Sequence, residues 1–354
     1  MKKLTFIDHS FHRKTKSSDF FKNILKKKFI ISELWDDSWR GGKKIGSKEI
    51  NEIDPDTVLF WQIPPRVKEI KKIKTKNIIY VPMEDAFFYD DYKWLIYKKF
   101  NIKVLCFSKR VYNQVSKLGI QSFYSQYFPT PQESIINKKN TNGIKIYFWQ
   151  RRNEINWHII KTIIGNQKVE KIIFKNEPDP FVVKSISPNE EDKKKYNITS
   201  VSEWLSEEEL KKIYQECNIY FAPRKYEGIG MSFLEAMSYG MIVIAPNTPT
   251  HNEYIVSGYN GYLYNFKKTT EIKFEKLDEM INNVVKTVES GYKNWLDSID
   301  KIINFIEEEP QQIYLNNKEK FIVFVGNISK KPFRELQSIL KIIIKKILWK
   351  ILYK

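Results

Sequence analysis

The chain has 354 residues, 42 % of them hydrophobic and 29 % charged, which suits two globular domains with their own cores. Lysine and arginine number 60 against 42 acidic residues, and the net charge of +18 favours anionic partners: nucleotide diphosphates, anionic lipid or nucleic acid. Two cysteines, Cys106 and Cys217, exclude a disulfide framework, and no window approaches 18 uncharged apolar residues, which excludes a membrane span.

In chain order, strands are expected at 4–8, 29–35, 57–62, 77–83, 103–108 and 122–128. Helices are expected at 19–27, capped by Ser18, and at 86–100 and 110–118. Short apolar strands separated by helices predict a parallel sheet covered on both faces. In such a sheet the ligand crevice lies beyond the carboxyl ends of the strands. The informative segments are therefore 9–18, 63–66 and Glu84-Asp85. The loop His9-Ser10-Phe11-His12-Arg13-Lys14 is basic and hydroxyl-rich, and reads either as a grip on an acidic ligand or as a basic surface loop.

The polar, turn-rich stretch 131–143 predicts the linker between a domain at 1–130 and a second at 144–310. The second domain repeats the rhythm: strand 144–149, helix 155–164, strand 171–174 and helix 207–217. Ser206 with Glu209 is a capping-box signature. Residues 321–325 read as either strand or helix. The end of the chain, 311–354, is basic and partly amphipathic, with Leu340, Ile344, Ile347, Leu348 and Ile351 on one face.

The richest stretch is 219–264. A buried strand at 219–222 precedes Glu227-Gly228-Ile229-Gly230, a helix from Met231 to Tyr239 that Gly240 ends, and a second buried strand at 241–245. A helix opened by glycines points free N–H groups and its positive dipole end at whatever lies in front, and a phosphate is the natural guest. Glu227 and Glu235 flank that anion site. Carboxylates beside a phosphate suggest contacts to sugar hydroxyls; read singly, each is equally an ordinary ion-pair or helix-end charge.

Pro223, Glu227-Gly228-Ile229-Gly230, Leu234-Glu235-Ala236-Met237 and Gly240, with Glu253 and Gly261 downstream, resemble the signature of retaining GT-B glycosyltransferases of family 4, the group 1 type. The resemblance is specific over about 45 residues, weaker back to about residue 142, and architectural before that. It implies two Rossmann-like α/β domains facing across a cleft, with C-terminal helices returning to the N-terminal domain. It also implies a metal-independent hexosyltransferase with no cofactor, moving sugar from a nucleotide-diphosphate donor to a saccharide or lipid-linked acceptor with retention, in surface polysaccharide synthesis.

By that resemblance the donor would be held by Arg151, Arg152, Gly228, Ile229, Gly230, Met231, Ser232 and Glu235. The family's later lysine is absent, and Arg152 or Lys161 is the candidate replacement. Glu227 and Asp85 are expected at the reacting centre, and His9, His12 and Lys14 on the acceptor side. No metal site is expected: Asp36-Asp37, Asp54-Pro55-Asp56 and Asp90-Asp91 follow no buried strand of a nucleotide-binding half, and the four histidines show no zinc spacing. The chain is expected in the cytoplasm, with the basic C-terminal segment either on an anionic membrane surface or packed on the N-terminal domain. Alternatives are an epimerase or phosphorylase of the same fold. From another class, the charge alone admits a nucleic-acid-binding protein, although no nucleic-acid partner is expected.

Overall fold

The computed structural model describes residues 1–86, 90–132, 143–179 and 186–329. Most of the expected linker, 133–142, and the amphipathic segment 332–354 lie outside the described residues.

The first half is β1 Lys2–Asp8, α1 His12–Thr15, α2 Asp19–Leu25, β2 Phe29–Trp35, α3 Ser47–Ile53, β3 Thr57–Trp61, α4 Val67–Ile70, β4 Asn77–Val81, α5 Asp91–Lys99, β5 Lys103–Cys106, α6 Lys109–Lys117 and β6 Ser122–Tyr124. Its six strands are all parallel, in the order β2-β1-β3-β4-β5-β6. β3 and β4 are buried at every position, because helices cover both faces of the sheet.

The second half is β7 Lys145–Gln150, α7 Trp157–Ile164, β8 Lys171–Asn176, α8 Glu190–Lys195, β9 Ile198–Val201, α9 Glu207–Glu216, β10 Ile219–Phe221, α10 Met231–Ser238, β11 Ile242–Pro246, α11 His251–Tyr254 and β12 Gly261–Tyr264. This sheet is also parallel, in the order β12-β11-β10-β7-β8-β9. In the first sheet the strand order reverses beside β1, and in the second between β7 and β10. Those reversals open the crevices in which ligands bind.

The chain then returns to the first domain. α12, Leu277–Glu307, runs 31 residues, and Trp295 packs against Tyr127. Gly291 sits under Phe128 so closely that a Cβ would lie 2.4 Å from its ring. The last carbonyls of α12 are satisfied by the first domain: Asn77 Nδ2 donates to Ile306 O and buried Lys103 Nζ to Phe305 O. α13, Asn317–Ser329, packs Val323 against Tyr92, Leu95 and Ile96 of α5, and settles the reading of 321–325 as helix.

Two local expectations need correction. Ser18 precedes α2, but its hydroxyl donates to Asp8 Oδ2 at 2.7 Å rather than capping the helix. The helix expected at 86–100 starts only at Asp91. Asp90 caps it by accepting from Tyr92 N at 2.9 Å, and Glu84–Ala86 form a single 3-10 turn. Lys161, the other candidate for the family's later lysine, pairs with Asp192 at 2.6 Å.

Candidate active site

A cavity of about 570 Å³ lies between the carboxyl ends of the two sheets. The loops after β1, β2, β3 and β4 line one wall, and those after β7, β8 and β10 the other. Its size is typical of small-molecule sites.

On the second-domain wall the chain must turn from β10 into α10. Gly230 makes that turn at φ +89°, where a Cβ would lie 1.9 Å from the Phe233 ring. Gly230, Met231 and Ser232 line the cavity, so the first N–H groups of α10 border it. Glu227, 6 % exposed, also lines it, and its Oε1 is buried without a partner among the described residues. Burial pushes this carboxyl up, against the pull of Arg224 and Arg151. A buried, unpaired carboxylate facing a cavity is the kind of exception that marks a ligand site.

Behind Glu227 stands Thr250. Its Oγ1 donates to Glu227 O at 2.7 Å from a backbone at φ 73°, ψ −58°. That conformation strains a β-branched residue, and the family signature usually carries paired glycines in this loop.

Three arginines meet at Asp179, which the sequence reading missed. Arg151 Nε and Nη2 both approach Asp179 Oδ1 at 2.8 Å, and Arg152 Nε lies 3.3 Å from Oδ2. Arg224, also missed, reaches Oδ2 with Nε at 3.2 Å and Nη2 at 2.5 Å, while its Nη1 lies 3.2 Å from Asp85 Oδ2. Burial works against ionising Asp179, but Arg151 and Arg224 outweigh it and hold the carboxyl below the usual carboxylate range. Two signals were available: Asp179 follows β8 in the post-strand position, and Arg224 sits inside the glycine signature itself.

On the opposite wall, Asp8 ends β1 and is 1 % exposed. Its oxygens accept from His12 Nδ1 at 2.8 Å, His9 N at 2.7 Å and Ser18 Oγ at 2.7 Å. The His9 ring lies against His12, tilted by 41° with centroids 3.8 Å apart, and its Nε2 lies 3.3 Å from Gln62 Oε1. His9 and His12 line the cavity. Asp85 lines it as well, and burial raises its carboxyl while Arg224 opposes.

Two expected residues lie apart. Lys14 is exposed on α1 and stacks over Trp204 of the other domain at 4.0 Å. Glu235 faces Tyr214, whose hydroxyl donates to it at 3.4 Å, and it does not line the cavity. Protein surrounds Glu235 on most sides, and desolvation pushes its carboxyl up to about 7, although its open side keeps contact with water. Glu84 turns from Asp85 to Arg110 at 3.2 Å. Glu253 spans the domain interface, accepting from Ser108 Oγ at 2.8 Å and Lys109 N at 2.7 Å, and so caps α6.

Asp8, His9 and His12 place potential metal-ligand atoms within 4.8 Å of one another. Hydrogen bonds engage both Asp8 oxygens and His12 Nδ1. The acidic pairs are engaged too: Asp36 accepts from Ile45 N at 2.8 Å, Asp56 from Lys3 N at 2.7 Å, and Asp90 caps α5.

Residues 163–293 match the family model described as glycosyl transferases group 1. An uncharacterized glycosyltransferase of Methanocaldococcus jannaschii is 28 % identical over 193 residues, 51 % of this chain and 50 % of that protein. The chain thus spans about half of that curated relative's length. The lipopolysaccharide outer core galactosyltransferase WaaB, in its apo form, superposes with a TM-score of 0.53 at 14 % identity, over 92 % of this chain and 99 % of that one. HepE of Anabaena in complex with UDP-glucose superposes with a TM-score of 0.50 at 12 % identity, over 86 % and 98 %. With two parallel Rossmann-like sheets facing across a cleft the chain has the GT-B fold, and its glycine-carboxylate unit lies inside the segment that matches the group 1 glycosyltransferase model.

Proposed function

We propose that the protein transfers a hexose from a nucleoside diphosphate donor, UDP-glucose being the reference case, to a hydroxyl of a saccharide or lipid-linked saccharide, with retention and without a metal. The observation that carries this reading is the convergence of three arginines and the open end of α10 on one cavity beside the unpaired Glu227. That is an anion site with a sugar-hydroxyl acceptor next to it. The UDP-glucose in HepE and the galactosyl transfer named for WaaB suit the reading.

In this reading the segment Gly228–Ser232, with Arg151 and Arg152, takes the diphosphate once Asp179 yields it. Glu235 takes the ribose hydroxyls from the other side of α10. Glu227 holds the transferred sugar and Asp85 stands at the reacting centre, while His9, His12 and Lys14 border the acceptor. Charge building on the leaving diphosphate is met by fixed N–H groups and guanidinium groups, each good donor contributing roughly 10²–10³ in rate. Residues 1–130 form the acceptor side, 131–143 the linker, 144–310 the donor side and 311–354 the C-terminal segment. Closure of the two domains on the substrates excludes water, whose attack competes with transfer.

No helix among the described residues is long and apolar enough to cross a membrane. We place the protein on the cytoplasmic face of an anionic membrane in surface polysaccharide synthesis. The +18 charge and exposed Phe321, Phe324 and Val325 on α13 support that position. The test is proton NMR of products from UDP-glucose and a saccharide acceptor panel. A glycoside of the donor's own anomeric configuration is expected; free sugar or sugar phosphate as the only product contradicts the reading.

A further inference from the structure

Gln62 follows β3 directly, in a backbone conformation that glutamine rarely adopts, and it does so on the cavity wall. From its geometry and the charges around it, we propose that Gln62 binds the acceptor, and that the acceptor presents an uncharged sugar ring to this wall. The assignment rests on the glycosyl-transfer reading above.

β3 is buried at every position through Trp61, so the chain reaches the crevice edge at Gln62. There it must turn towards Ile63-Pro64-Pro65. Ile63 N donates to Trp61 O at 2.7 Å and closes a three-residue turn with Gln62, at φ +63°, in the middle. Such a turn is rare and strained, and glycine is the residue that adopts it without cost. Gln62 N donates to Val81 O at 2.9 Å, so the neighbouring strand fixes the backbone as well. A strained residue that its surroundings hold at a cavity marks a ligand clamp.

The side chain is held at one end. Its Oε1 lies 3.3 Å from His9 Nε2. An amide oxygen only accepts, so His9 Nε2 carries the hydrogen and donates it. Burial and then His12 pull the His9 imidazole below its ordinary value, against Asp8, which suits a neutral ring in this tautomer. Gln62 lines the cavity, and no hydrogen bond from its Nε2 is found among the described residues. Its two N–H donors are left to meet a ligand, and sugar hydroxyl oxygens accept such bonds. Around it Trp39, 47 % exposed, Ile63, Pro64 and Met83 line the cavity and supply apolar surface for the C–H face of a ring.

The charges decide which kind of sugar fits. Among the described lining residues, the loops after β1, β2 and β3 contribute no lysine, arginine, aspartate or glutamate. In those same loops Arg13 lies over Trp35 at 4.4 Å, Lys14 over Trp204 at 4.0 Å, Arg40 pairs with Asp37 at 3.3 Å and Arg66 with Asp36 at 3.2 Å. These cations face partners of their own. His12 lines the cavity with its Nδ1 on the buried Asp8 carboxylate. The arginines that line the cavity, Arg151, Arg152 and Arg224, all meet Asp179 at the donor end. A carboxylate or phosphate on the acceptor ring would leave water for a wall whose described residues offer it no cation. An uncharged ring avoids that desolvation cost.

The experiment uses the full chain, saturated with UDP or with whichever of GDP, ADP and CMP it binds, and reads glycoside affinity by NMR titration. Methyl glucoside and methyl galactoside are compared with their uronic acid and 6-phosphate counterparts. Wild type should bind the uncharged rings about tenfold or more tightly than the charged ones. Gln62→Ala should weaken the uncharged glycosides about 5–10-fold, on the order of one hydrogen bond, with nucleotide affinity unchanged. Gln62→Gly should weaken them equally yet resist urea better than Gln62→Ala, because it relieves the turn. A Gln62 that only shapes the backbone would instead leave Gln62→Gly with wild-type affinity. Charged glycosides bound as tightly as uncharged ones, no binding of either uncharged glycoside, wild-type affinity in either variant, or a parallel loss of nucleotide affinity overturns the proposal and leaves the transferase reading standing. A wild type that binds no UDP-, GDP-, ADP- or CMP-sugar overturns the transferase reading, and the acceptor assignment with it.

Discussion

Arg224 grips Asp179 through Nε at 3.2 Å and Nη2 at 2.5 Å, and it does so while Arg151 and Arg152 hold the same carboxylate. Asp179 therefore occupies the charge that a diphosphate would occupy. Asp179→Asn keeps the shape and removes the competing anion. It should tighten UDP binding by about 3–10-fold, measured by calorimetry, since each tenfold is about 1.4 kcal/mol. Unchanged or weaker binding means that Asp179 orients the arginines instead of competing with the ligand.

The two signature glutamates should separate kinetically. Glu235→Ala removes a contact to the nucleoside, present in ground and transition states alike, so Kd for UDP should rise about tenfold. Glu227→Ala removes a contact at the reacting sugar, so kcat should fall with little change in UDP affinity. Equal UDP affinity for wild type and Glu235→Ala would refute the ribose assignment.

Thr250 spends backbone strain to hold the Glu227 carbonyl. Thr250→Ala keeps the strain and loses the hydrogen bond, a loss of about 1 kcal/mol. Thr250→Gly loses the bond but relieves strain of about 1–3 kcal/mol. Glycine should thus be the more stable variant by 1 kcal/mol or more, on the order of one hydrogen bond, in urea denaturation. Alanine matching or exceeding glycine contradicts this.

How much of this was legible in advance follows from the physics of each residue. All six strands of the first sheet were readable because parallel strands buried on both faces are continuous apolar runs, as in Thr57–Trp61 and Asn77–Val81. The Glu227–Gly240 unit was readable because its glycines and carboxylates are fixed by local geometry. β9 was not, since Ile198–Val201 is a half-exposed edge strand of four residues. Nor was the Arg224–Asp179 pair, whose members lie 45 residues apart and meet only through the sheet order. The loop after β1 was read as one basic unit, but its helix α1 turns His12 inward and Lys14 outward. No local reading placed a helix at Leu277–Glu307, although the resemblance implied C-terminal helices returning to the first domain, as α12 does.

His251 gives the pH dependence a testable arm. It is fully buried against Phe233, and burial pulls its imidazole down to about 3. The unfolded chain takes up this proton near pH 6.5 while the folded chain refuses it, so the stability contributed is present above pH 6.5 and lost as pH falls. From pH 6.5 to 5 the loss is about 2 kcal/mol. Glu84 and Glu235 act with opposite sign: raised to about 7, they favour the fold at low pH and lose that contribution as pH rises through 4.5–7. Comparing wild type with His251→Phe cancels those two. The variant should lose about 2 kcal/mol less than wild type on going from pH 7.5 to 5, in urea denaturation. Identical pH dependence contradicts the assignment.

The most direct test of the donor site is calorimetric titration of wild type and Arg151→Ala with UDP-glucose, and with GDP-, ADP- and CMP-sugars in parallel, all in excess EDTA. The account predicts that one of these donors binds wild type without metal and binds Arg151→Ala about tenfold or more weakly, on the order of one charge-assisted hydrogen bond. Binding that requires a divalent cation, or the same affinity in both proteins, would contradict it.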